Sequence, residues 1–227
     1  MTDIASKVLY AADIVLVIDT TASMGPFIED TKKLAMGFHE RISREMRAKG
    51  KTVDQLRVRL IVFRDYYDKE ENAIVATPFW KMPEEEGKLV EFVSMLQAGG
   101  GGDEPENGLE ALALAIRSSW EQGQGFQKCR HSIVVFTDAS AHPLEHPGKP
   151  PSYPKDMPKD LNELTDMWFA EMRNTAKRLT IFAPDVPPWN IFEGAWDCTQ
   201  HHKSHAGSGL DEQTLSDLVE GITNSIT

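Results

Sequence analysis

Cysteine is scarce, with two thiols, Cys129 and Cys198, in 227 residues. So few cannot build a disulfide framework. Long apolar runs are missing as well. No stretch approaches the ~20 residues that a helix needs to cross a bilayer. The start, MTDIASKVLYAAD, lacks the basic-then-apolar pattern of a secretory signal. Positive charge is in deficit: 24 Lys and Arg stand against 35 Asp and Glu, a formal net charge of −11. That argues against nucleic acid or anionic lipid as a partner, because phosphate binding needs a cationic surface. Internal repeats and low-complexity tails are absent too. The expectation is a cytoplasmic protein that binds neither membrane nor nucleic acid and has acid to spare for holding cations. Nothing in the sequence sets its oligomeric state.

What is present alternates. Asp13–Ile18 is a continuous apolar run, which predicts a strand buried on both faces. Phe27–Ala48 carries helical spacing through Ile28, Leu34, Phe38, Ile42 and Met46, and Gly50 ends it. Gln55–Phe63 and Ala73–Trp80 read as strands, and Pro83–Gln97 and Pro105–Trp120 as helices around a glycine turn, Gly99–Gly102. Arg130–Phe136 is a buried strand and His142–Pro158 a proline-bearing loop. Leu161–Lys177 reads as a helix, Leu179–Ala183 as a strand and Pro187–Trp196 as irregular. A last helix spans Leu210–Ile226, with Asp211 as its cap. Strands separated by helices predict a three-layer, doubly wound Rossmann-like α/β fold, its mostly parallel central sheet flanked by helices. One domain accounts for residues 1–227, with a core over about 13–226 and a loop insertion over about 139–160.

Two strands run into carboxylates, Asp19 and Asp138. In open parallel sheets, ligands sit beyond the carboxyl ends of the strands. If these strands are neighbours, both acids arrive at one edge. The glycine turn brings Asp103, Glu104 and Glu106 as candidates for the same edge. Carboxylates packed together without a counter-charge repel, and some would take up protons. A divalent cation removes that problem. Carboxylate and hydroxyl oxygens are hard donors, which favours Mg²⁺, Mn²⁺ or Ca²⁺ over Zn²⁺. Thr21 and Ser23, at alternate positions after Asp19, can turn their oxygens towards one point.

Asp19-Thr20-Thr21-Ala22-Ser23 resembles the D-x-[ST]-x-S signature of von Willebrand factor type A domains, their metal-ion-dependent adhesion site. Gly99–Gly102 followed by Asp103-Glu104-Pro105-Glu106 is similar to the second metal loop of the integrin β form, and Val135–Ala139 to its third loop. Phe63-Arg64-Asp65-Tyr66 is similar to a stretch in intracellular bacterial members. The resemblance implies metal ligation by Asp19, Thr21, Ser23, Glu106 and Asp138, with Asp103 as a second-shell or alternative ligand. It implies Mg²⁺ first, with Mn²⁺ or Ca²⁺ as alternatives. It also implies a protein-interaction module, not a catalyst, whose cation takes an Asp or Glu carboxylate from a partner protein. Met24, Glu104, Ser140 and His142 are the candidate partner contacts around it.

Other readings compete. Asp19 and the hydroxyls also suit a helix cap ahead of Pro26, and Glu104 and Glu106 suit exposed charges in a first helical turn. Cys198, His201, His202 and His205, like His142 and His146, lack the usual zinc spacings and read as solvated loop. Trp189, Phe192 and Trp196 suit packing or an aromatic anchor for a partner. A haloacid-dehalogenase-type phosphohydrolase also places an Asp after its first strand. It needs a general acid two residues later, where this chain has Thr21, which cannot shuttle a proton near neutral pH. A scaffold without a metal is the remaining alternative.

Overall fold

Ten consecutive buried residues, Tyr10–Asp19, form β1 at the centre of the molecule. The computed structural model describes residues 8–66, 73–101, 104–145, 149–210 and 215–227. The strands are β1, β2 (Gln55–Phe63), β3 (Ile74–Ala76), β4 (Trp80–Met82), β5 (Lys128–Phe136), β6 (Lys177–Pro184) and β7 (Thr199–Ser204). They make one seven-stranded sheet in the order β3-β2-β1-β5-β6-β7, with β4 also on β2. β2, β1, β5, β6 and β7 pair in parallel, and β3 and β4 run antiparallel along the outer edge of β2. The chain leaves β1 towards β2 and returns on its other side as β5, so the topology switches direction beside β1. That is where ligands sit in such sheets.

Alternation along β1 divides the core in two. Ile14, Leu16 and Ile18 face α1 (Gly25–Ala35), α2 (Phe38–Ala48), α3 (Glu86–Ser94) and α7 (Leu215–Ser225). Val15 and Val17 face α4 (Gly108–Ile116), α5 (Leu161–Glu171) and α6 (Trp189–Ala195). Cover on both faces is why Ile14–Ile18 of β1 reads as unbroken apolar sequence. The expected three-layer, mostly parallel α/β fold is therefore observed.

Several boundaries differ from the sequence expectation. The helix expected over Phe27–Ala48 is two helices, broken at Met36–Gly37, where Gly37 takes φ 76°. Only glycine adopts that conformation without steric cost. The strand expected over Ala73–Trp80 is two short strands separated by Thr77–Pro78–Phe79. The helix expected through Lys177 stops at Glu171, and Lys177 already belongs to β6. Pro187–Trp196 is not irregular, since it contains α6. His201 and His202 are not in a solvated loop. They belong to β7, with His201 buried against the Ala183 carbonyl (2.9 Å) and His202 stacked on Phe182 (4.6 Å between ring centroids). Asp103, His146 and Asp211 lie outside the described residues.

Candidate functional site

Asp19 ends β1 fully buried, and the turn after it folds back onto its carboxylate. Oδ1 accepts from the Thr21 backbone N–H at 2.8 Å and from Thr21 Oγ1 at 2.6 Å. Oδ2 accepts from Thr137 Oγ1 at 2.7 Å, a hydroxyl that follows β5. Burial pushes the Asp19 carboxyl up to about 6, against the pull of the Thr21 and Thr137 hydrogen bonds, with the nearby Asp138 charge adding to the rise. A short 3₁₀ turn, Ala22–Met24, then carries Ser23 outwards. Ser23 Oγ donates to Asp138 Oδ1 at 2.9 Å. The other Asp138 oxygen accepts from the Gly209 N–H at 2.7 Å, and the Asp138 carbonyl accepts from the Gly207 N–H at 2.8 Å. The neighbouring rungs of β1 and β5, Ile18 opposite Phe136, are what bring these two carboxylates to one edge.

The glycine turn packs over the same edge. Gly99 N donates to the Thr20 carbonyl and Ala22 N to the Gly100 carbonyl. Gly101 has φ +69°, and a Cβ there would lie 2.6 Å from Glu106 Oε1 and 2.8 Å from the Thr21 side chain. Bare backbone is therefore required for Thr21 and Glu106 to approach one another. Glu106 is buried and forms a parallel bridge with Ala141, through Glu106 N to the Ser140 carbonyl (3.0 Å) and His142 N to the Glu106 carbonyl (2.8 Å). The second and third loops are thus one hydrogen-bonded piece.

The structure brings Asp19, Thr21, Ser23 and Asp138 to the carboxyl ends of β1 and β5, with Glu106 beside Thr21 across Gly101. The four expected partner contacts separate. Met24 is fully buried in the core and offers nothing to a partner, a correction explained by its place on the inner side of the turn. Glu104 is exposed and accepts from Ser140 Oγ at 3.2 Å. His142 is half-buried, with Nε2 3.4 Å from Asp65 Oδ2. Trp189 and Phe192 are core residues, and Trp189 Nε1 donates to the Ala139 carbonyl at 2.9 Å, which holds the third loop from below. Thr137, Gly207 and Gly209 also hold Asp19 and Asp138, and the G-S-G of residues 207–209 marks a tight turn in the sequence.

Among the described residues, no three His, Cys, Asp or Glu side chains converge as a metal-holding group. The donor set here is all oxygen: Asp19 with the Thr21 and Thr137 hydroxyls, and Asp138 with the Ser23 hydroxyl. Such a set fits a hard cation that takes few carboxylates directly and keeps waters, and it does not fit zinc.

Residues 13–147 match the family described as von Willebrand factor A domain. Two solved structures share the fold over 96% of this chain. A pilus adhesin, SpaC, from Lactobacillus rhamnosus GG in its open conformation has 12% identity and a TM-score of 0.54. Proximal thread matrix protein 1 from the mussel byssus has 12% identity and a TM-score of 0.50. The chain spans 30% of the adhesin and 46% of the byssus protein. No curated protein matches the sequence.

Proposed function

The chain belongs to the von Willebrand factor A domain family, and from that premise we propose a protein-interaction module whose metal-ion-dependent adhesion site is the edge built by Asp19, Thr21, Ser23, Glu106 and Asp138. The observation that carries this reading is the Ser23–Asp138 hydrogen bond, which ties the first and third loops together across 115 positions of chain. Asp19 supports it as a buried carboxylate whose charge is poorly stabilised by its present surroundings.

The cation, Mg²⁺ first and Mn²⁺ or Ca²⁺ as alternatives, would supply positive charge and an open position for a partner's Asp or Glu carboxylate. Ser23 and Asp138 would hold it directly. Asp19 and Thr21 set the turn that presents Ser23, and Glu106 closes the second loop against them. Glu104, Ser140 and His142 rim the edge and would read the residues flanking the partner's acid. We place the module in the cytosol, where its two free thiols would stay reduced. Among the described residues, no helix is long and apolar enough to cross a membrane.

Calorimetric titration of chelator-treated protein with Mg²⁺, Mn²⁺ and Ca²⁺, beside Asp19→Ala, tests the reading. Saturable binding that the mutant loses is the expected result. A wild-type chain that binds none of the three ions would overturn it.

A further inference from the structure

The acidic excess of this chain does not extend to the opposite edge of the sheet. At the amino ends of β5 and β6, Lys128, Arg130 and Arg178 lie on one face, since Lys128 and Arg130 alternate along β5 and Arg178 stands across from Ser132. Arg173 lines a cavity of about 310 Å³ together with Lys128, Cys129 and Arg130. A second cavity of about 370 Å³ is lined by Arg178, Cys198, Asn224 and Ser225.

Several cations elsewhere are matched, as in Arg57–Asp13, Arg117–Glu171, Lys177–Asp197 and Lys203–Asp185. These four are not: among the described residues, no carboxylate forms an ion pair with Lys128, Arg130, Arg173 or Arg178. Arg130 Nη1 donates to the Thr175 carbonyl, Arg173 Nη1 to Gln122 and Arg178 Nη1 to Lys177, and Lys128 Nζ sits 4.7 Å over the Tyr10 ring. Arg130 Nε is buried without an acceptor. The C-terminal carbonyls of α7 do not account for the cluster. Tyr10 Oη donates to Ile226 and Lys51 Nζ to Thr227. Burial first, then the charges of Arg130, Lys51 and Arg178, hold the Lys128 ammonium below its usual value, and burial and then Arg178 do the same to Arg130. Asp54 accepts from Tyr10 N, and Glu121 and Asp13 are the acids whose charge reaches Cys129, between Lys128 and Arg130.

We propose that Lys128, Arg130 and Arg178 form a second docking surface, for an extended acidic segment of a partner protein. Lys128 and Arg130 are two residues apart on a strand, roughly 6.6 Å, which is the spacing of alternate side chains in an extended peptide. Carboxylates at every second position would therefore meet both. A polyphosphate chain is the poorer fit, because a molecule of net charge −11 repels a dense line of phosphates while a short acidic stretch costs less. The surface stands apart from the cation edge and does not depend on it.

The test is fluorescence anisotropy of a labelled hexaglutamate peptide in low-salt buffer with chelator present. The expected result is saturable, salt-sensitive binding, weakened roughly tenfold or more in the triple variant Lys128→Gln, Arg130→Gln, Arg178→Gln and unchanged in Asp19→Ala. The single variant Lys128→Gln, at a half-buried position, guards against misfolding of the triple one and should weaken binding severalfold. The proposal is overturned by absence of binding to wild type, by affinity unchanged in both variants, or by tighter binding of a single-stranded oligonucleotide than of hexaglutamate.

Discussion

Ser23 Oγ and Asp138 Oδ1 are 2.9 Å apart, and this bond joins a turn after β1 to a loop after β5. Ser23 itself is exposed, so its hydroxyl adds little to the stability of the fold. Ser23→Ala should therefore cost about 1 kcal/mol or less in a urea melt. The same change should weaken Mg²⁺ binding by roughly tenfold, because it removes a donor and frees Asp138 to turn. Unchanged affinity in calorimetry would remove Ser23 from the ligand set.

Gly209 is held more tightly than its place in a surface turn implies. Its φ is +66°, its N–H serves Asp138 Oδ2, and a Cβ there would strike the Ser23 carbonyl. Gly209→Ala should destabilise by roughly 1–3 kcal/mol and lower metal affinity as well, since both loops must shift. Thermal melting with and without Mg²⁺ reads both effects, and a variant as stable as wild type would contradict the geometry.

Lys177 is fully buried beneath the Trp168 ring, with Asp197 Oδ1 at 2.8 Å as its counter-charge. Removing the acid leaves an ammonium in the core, whereas replacing the lysine by a thioether of similar length removes the charge altogether. Asp197→Ala should cost roughly 2 kcal/mol or more, and Lys177→Met less than that. Equal losses in denaturant titration would show that packing, not charge, dominates here.

Acid should loosen the chain through two histidines. Burial, first among the causes for each, holds His131 and His202 below the ordinary histidine value of 6.5. The unfolded chain then binds their protons at higher pH than the folded chain does. Stability is therefore complete above about 6.5 and declines as the pH falls below it. The slope of unfolding free energy against pH in this window should flatten in His131→Asn. A slope identical to wild type would assign the acid sensitivity elsewhere.

The elements visible in the sequence are those whose burial is continuous. Ile14–Ile18 of β1, Leu60–Phe63 of β2 and Ile133–Phe136 of β5 announce themselves because both faces are covered there and polar residues are excluded. β7, Thr-Gln-His-His-Lys-Ser, is an edge strand held by main-chain bonds to β6, and its side chains carry no strand pattern. The seven-residue α6 follows two prolines and is too short to show a helical period. The candidate site divides in the same way. Asp19 and Asp138 are legible because an acid at the end of an apolar strand stands out. The N–H groups of Gly207 and Gly209 that fix Asp138 are backbone donors, which no side-chain pattern encodes.

β1 carries Tyr10 at one edge of the sheet and Asp19 at the other. Nine steps of a parallel strand at ~3.3 Å make roughly 30 Å. The Debye length at physiological salt is about 8 Å. Charge brought to one edge is thus screened several times over before it reaches the other. The strand is a rigid spacer, and two ligands at its ends would neither compete nor sense each other's charge.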